Sequence, residues 1–125
     1  MPRIFVIDDD KDLLQVVKSL LIKRGFNVSV YSDWESANDD IKKYEPQLIL
    51  LDVFLSGVDG FEVCQQLKSN FATRHIPVLI FSAYPRVAET AIYEYGANDF
   101  ISKPFEVNDL IRKVHSILSK TGESV

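Results

Sequence analysis

The chain has 125 residues, 46% hydrophobic and 26% charged, the profile of a single globular domain rather than a disordered or fibrous chain. Its net charge of −4 argues against a direct grip on nucleic acid, which needs a basic face. No apolar run approaches the ~20 residues of a membrane span. The start, MPRIFVIDDD, turns acidic too soon for a signal peptide, and the lone Cys64 excludes an internal disulfide, so a cytoplasmic location is expected.

Residues 4–7 form a short apolar run that ends in Asp8, Asp9 and Asp10 and predicts a first strand. Leu13, Leu14, Val17, Leu20 and Leu21 then recur at helical spacing, and Gly25 is placed to stop that helix. Residues 27–31 alternate, with Val28 and Val30 on one face, as in a more exposed strand. Ser32 and Glu35 have capping-box spacing ahead of a helix marked by Trp34, Ala37, Ile41 and Tyr44. Residues 48–51, LILL, read as a strand buried on both faces that delivers Asp52 to its end. Phe61, Cys64, Leu67 and Phe71 mark a third helix, in which Cys64 reads as packing. Residues 78–81 are a further buried run ending at Ser82, and a fourth helix is expected over residues 86–95, stopped by Gly96. Residues 100–102 form a short strand ending at Lys103 and Pro104. A last amphipathic helix carries Val107, Leu110, Ile111, Val114, Ile117 and Leu118, and residues 119–125 read as a polar tail. His75 and His115 stand alone and read as surface or satisfied histidines.

Strands and helices thus alternate five times, which predicts a parallel sheet with helices on both faces. In such a sheet the ends of all strands share one edge, where open α/β folds place their ligands. Asp8, Asp9, Asp52, Ser82 and Lys103 are gathered there. Crowded carboxylates repel and raise one another's pKa. A hard cation relieves this, and Mg²⁺ suits one or two carboxylates with carbonyl and water oxygens. Lys103 then offers a point charge to a phosphoryl oxygen and Ser82 a hydrogen bond. Asp52 is either a third ligand or a nucleophile, since carboxylates form acyl phosphates. The first turn, DDDKD, has no glycine and so no nucleotide-binding loop. One of its aspartates is expected to cap the first helix, with Asp10 the candidate.

FVIDDD, LILLDVFLSGVDG, LIFSA and GANDFISKPF, in this order and spacing, resemble the receiver domains of two-component response regulators over nearly the whole chain, residues 3–120. The resemblance implies a flavodoxin-like three-layer sandwich, a five-stranded parallel sheet of order 2-1-3-4-5 with five helices. It implies a domain that takes a phosphoryl group from the phosphohistidine of a histidine kinase or phosphotransfer protein onto Asp52, catalysing only its own phosphorylation and dephosphorylation. By match to the motif, Asp9 and Asp52 bind Mg²⁺ directly, with the Phe54 carbonyl as a further ligand and Asp8 acting through water. Lys103 contacts the phosphoryl oxygens and Pro104 matches a cis proline. Ser82 and Phe100 take the positions of a switch hydroxyl and a switch aromatic. Signalling then runs through the face of the fourth helix, last strand and last helix, including Tyr93, Tyr95 and Phe100, toward a homodimer or an effector, with no membrane or direct nucleic-acid contact. The sequence departs from the pattern at Ser56, where many receivers have proline, and in the stretch from Ser82 to Lys103, one residue short with Pro85 inside it. Phe54 and Tyr84 lie two residues beyond Asp52 and Ser82, at positions that the resemblance implies border the path of the hydrolytic water, and are expected to shield an acyl phosphate.

Two other readings use the same residues. Asp8 and Asp10 have the spacing of the nucleophile and second aspartate of haloacid-dehalogenase-type phosphatases, although Asp12 sits where that family wants threonine or valine. A diverged receiver acting only as a docking module is the other, but such proteins tend to lack one of the reacting residues.

Overall fold

The computed structural model describes residues 1–55 and 57–120. In chain order the elements are β1 (Arg3–Ile7), α1 (Lys11–Lys23), β2 (Asn27–Tyr31), α2 (Trp34–Tyr44), β3 (Leu48–Asp52), β4 (Phe54–Leu55), β5 (Val58–Asp59), α3 (Gly60–Ser69), β6 (Val78–Ser82), α4 (Pro85–Tyr95), β7 (Asp99–Ser102) and α5 (Val107–Lys120). The main sheet is parallel throughout, in the order β2-β1-β3-β6-β7. Counted by its own strands alone, that is 2-1-3-4-5, the expected flavodoxin-like order.

β3 lies at the centre because its sequence leaves it nowhere else to go. Leu48, Ile49, Leu50 and Leu51 are all fully buried. Alternation divides them between two cores. Leu48 and Leu50 pack with Ile4, Val6, Leu79 and Phe81 against Leu14, Val17 and Leu21 of α1 and Leu110, Val114 and Leu118 of α5. Ile49 and Leu51 pack with Phe5, Ile7 and Ile80 against Ala37 and Ile41 of α2, Val63, Cys64 and Leu67 of α3 and Ala91 of α4. Burying each such side chain contributes about 1.5–3 kcal/mol.

The starts of α1, α2 and α3 are capped by aspartates. Asp10 accepts from the Leu13 N–H, as expected, and Asp59 from Phe61. For α2 the cap is Asp33, whose carboxylate accepts from the Ser36 N–H at 2.8 Å. The cap thus lies one residue beyond the expected Ser32–Glu35 box, with the Asp33 carboxylate taking the Ser36 amide instead. Phe71 does not extend the apolar face of α3. Asn70 ends that helix, its side chain accepting from Ala72 and its carbonyl from Thr73 and Arg74. Phe71 is left 80% exposed, with the Arg74 guanidinium 4.7 Å above its ring. At the other end, α5 continues through Ser119 and Lys120, which the sequence reading assigned to a tail; the remainder of that tail and Ser56 lie outside the described residues.

Candidate functional site

Three strands of the sheet carry the polar residues to one edge. β1 ends before Asp8, β3 ends in Asp52 and β6 ends in Ser82. Asp8 and Ser82 are completely buried and Asp52 is 6% exposed. Register brings them side by side: Ile7 pairs with Leu51, and Asp52 with Phe81. β7 runs beside β6, Ser82 opposite Ser102, so that Lys103 follows directly, its N–H bonded to the Ser82 carbonyl at 2.8 Å. The Lys103–Pro104 peptide bond is cis.

The lysine spans the carboxylates. Its Nζ lies 2.6 Å from Asp8 Oδ2 and 3.4 Å from Asp52 Oδ2. Burial pulls the Lys103 pKa down, but the hydrogen bond and charge of Asp8, followed by Asp52, outweigh it and leave it raised. Burial pushes the Asp8 carboxyl above its ordinary value and the Asp52 charge adds to that, while the bonds from Lys103 and from the Asp10 N–H act against it. A buried carboxylate in that position favours a nearby cation. Oxygens of Asp8, Asp9 and Asp52 all lie within 4.8 Å of one another. An all-carboxylate donor set at that spacing fits a hard, oxygen-seeking divalent cation. Asp10 is not among these three residues: its side chain is turned to the α1 amides.

Asp52 and Ser82 are each closed by a short turn. Phe54 N–H donates to Asp52 Oδ1 at 3.1 Å. Tyr84 N–H donates to Ser82 Oγ at 2.9 Å, and the Ser82 hydroxyl donates to the Tyr84 carbonyl at 3.1 Å. The Phe54 and Tyr84 rings then meet edge to face, with centroids 5.6 Å apart and planes at 85°. Both remain more than half exposed. The sequence marked both rings but not their contact, because β4 and β5, an antiparallel hairpin of two-residue strands, carry no periodicity to read. Behind the hairpin, Gly60 N–H bonds to the Val53 carbonyl at 2.9 Å.

Phe100 is only partly buried and lines an open groove of about 380 Å³ with Ser102, Phe105, Asp109 and Lys113. The Lys113 Nζ sits 5.3 Å from its ring centroid, bonds its carbonyl at 2.7 Å and pairs with Asp99 at 3.2 Å. Lys113 gave no sequence signal, being one polar residue on the outer side of an amphipathic helix. Tyr93 is 84% exposed on α4. Tyr95 is partly buried: its ring stacks on Phe61 at 5.2 Å and packs against the core under α3 and α4.

A family model described as the response regulator receiver domain matches residues 4–115. The chain is 35% identical over 122 residues to the DNA-binding dual master transcriptional regulator RpaA of Synechocystis sp., covering 97% of this chain and 51% of that protein. It is 32% identical over 116 residues to the heme response regulator HssR of Staphylococcus epidermidis, covering 92% of this chain and 50% of that protein. The chain therefore spans about half the length of these curated relatives. Among solved structures, the receiver domain of NtrX from Brucella abortus superposes with a TM-score of 0.86 at 32% identity, covering 93% of this chain and 98% of that one. A putative response regulator from Chloroflexus aurantiacus J-10-fl superposes at 0.88 and 29% identity, covering 94% and 98%. With its sheet order and its strand-end residues in the places described, the chain belongs to the response regulator receiver domain family.

Proposed function

We propose that Asp52 is a phosphoacceptor, loaded from a phosphohistidine donor in a Mg²⁺-dependent reaction. The observation that carries this reading is the Lys103 ammonium poised between Asp8 and Asp52, beside a third carboxylate. An Asp52 oxygen attacks phosphorus, a P–O bond forms, the N–P bond breaks, and its electron pair leaves on the imidazole nitrogen. Asp9, Asp52 and the Phe54 carbonyl would hold the Mg²⁺, with Asp8 acting through water, and the ion would offset charge on the transferring group. Lys103 turns from Asp8 to the incoming phosphoryl oxygens. Such catalysis is mostly positioning and electrostatics, which a lysine set among three carboxylates can supply.

The added charge and acceptor oxygens draw the Ser82 hydroxyl out of its turn with Tyr84, and Phe100 moves inward from beneath Lys113. The surface of α4, β7 and α5 changes shape as a shift between two populations. A homodimer or an effector reads that surface, and a histidine kinase or phosphotransfer protein in the cytoplasm supplies the phosphoryl group. The phosphatase reading is disfavoured by Asp10, which caps α1.

The test is labelling by acetyl phosphate with and without Mg²⁺. Wild type takes up one phosphoryl group only with the metal, and Asp52→Asn takes up none. Labelling that survives in Asp52→Asn but is lost in Asp8→Asn would overturn the proposal in favour of the phosphatase chemistry.

A further inference from the structure

The carboxylate of Asp52 and the hydroxyl of Ser82 are each tied to an aromatic residue, and the rings of those two residues touch. Phe54 holds Asp52 by its N–H. Tyr84 holds Ser82 from both sides, giving its N–H to Oγ and accepting the hydroxyl proton at its carbonyl. The rings of Phe54 and Tyr84 then close on each other. The hydroxyl is therefore fully engaged within its own turn at rest. It can reach a phosphoryl group only by leaving the Tyr84 carbonyl, and Tyr84 is itself restrained by Phe54. The preference of an edge-to-face pair for contact corresponds to a factor of roughly 3 to 10 in an equilibrium.

We infer that Phe54 and Tyr84 are positioning residues that act as one aromatic clasp. Closed, the clasp keeps Ser82 in its resting turn. Parted, it releases the hydroxyl to the phosphoryl oxygens. This inference rests on Asp52 being the phosphoacceptor, and it goes beyond a simple water shield. Two shields act separately, whereas two halves of a clasp act as a unit and are lost together.

The test uses Phe54→Ala, Tyr84→Ala, the double variant, and the ring-preserving Phe54→Tyr and Tyr84→Phe. Amide hydrogen exchange is read in the unphosphorylated protein and the rate of Mg²⁺-dependent labelling by phosphoramidate in the loaded one. Phe54→Ala is expected to speed exchange at the Tyr84 amide by roughly 3- to 10-fold. Each alanine variant is expected to label faster by a similar factor, the double variant no faster than the faster single, and the ring-preserving variants like wild type. Unchanged exchange at Tyr84 in Phe54→Ala, or rate effects that multiply in the double variant, would overturn the clasp. A wild-type protein that takes no label at Asp52 would instead overturn the phosphoacceptor reading, and the exchange rates then decide the resting clasp alone.

Discussion

The Lys103 ammonium lies 2.6 Å from Asp8, 95 positions away in the chain. Its contact with Asp52 is longer, at 3.4 Å. Its resting partner is thus the most buried carboxylate of the cluster. Removing one member of a buried charge pair leaves the other uncompensated. Lys103→Met is therefore expected to destabilise the fold by about 2 kcal/mol in urea unfolding without divalent cations. Millimolar Mg²⁺ is expected to return most of that loss, as any ligand of the native state does. A variant as stable as wild type without the metal would show that Lys103 does not hold the carboxylates together.

Gly60 is required by close approach. A Cβ there would lie 2.3 Å from the Val53 Cα and 2.7 Å from the Asp52 carbonyl oxygen, both backbone atoms. Gly60→Ala is expected to cost about 2 kcal/mol and to slow labelling at Asp52, because the displaced backbone carries the proposed acceptor. Labelling at the wild-type rate would mean the hairpin yields without moving Asp52.

The lifetime of the acyl phosphate follows from the rings at the mouth. Phe54 and Tyr84 are bulky residues beside Asp52 and Ser82, and even with their rings parted they leave less room for a hydrolytic water than small residues do, so the phosphorylated state is expected to persist for minutes or longer. Decay followed after removal of the donor measures this, and a half-life of seconds would contradict the shielding.

Cys64 is buried in the core beneath α3 and α4, its thiol 3.4 Å from the Tyr95 carbonyl. Burial pushes its pKa up to about 11, with the Lys68 charge opposing. Because the folded pKa is the higher one, the folded protein holds this proton where the unfolded chain releases it. The resulting stability is fully present below pH 9.0 and is lost as the pH rises toward 11. Urea midpoints compared between wild type and Cys64→Ala should show an extra decline in wild type over that range. Thiol alkylation at pH 8 should require unfolding. Rapid modification of the folded protein would refute the burial argument.

Much of the fold was legible because its strands are continuous apolar runs closed by a chemically distinct residue. Residues 48–51 could only be central, and Asp8, Asp52, Ser82 and Lys103 then had to share an edge. Features set by single contacts were not legible. Asp33 displaced the expected cap by one residue, Asn70 ended α3 before Phe71, and Tyr95 turned to Phe61. The Lys113 grip on Phe100 and the Phe54–Tyr84 contact join residues 13 and 30 positions apart, beyond the reach of any local pattern. The residue types of the site follow from strand ends, whereas the resting hydrogen bonds follow from turns that sequence does not mark.

The most direct test of the central claim is to locate the phosphoryl group. The protein is labelled with acetyl phosphate and Mg²⁺, the acyl phosphate is trapped by borohydride reduction, and the modified residue is found by peptide mass spectrometry. The account predicts modification at Asp52 alone. Modification at Asp8, or none at either residue under conditions in which the protein is folded, would contradict it.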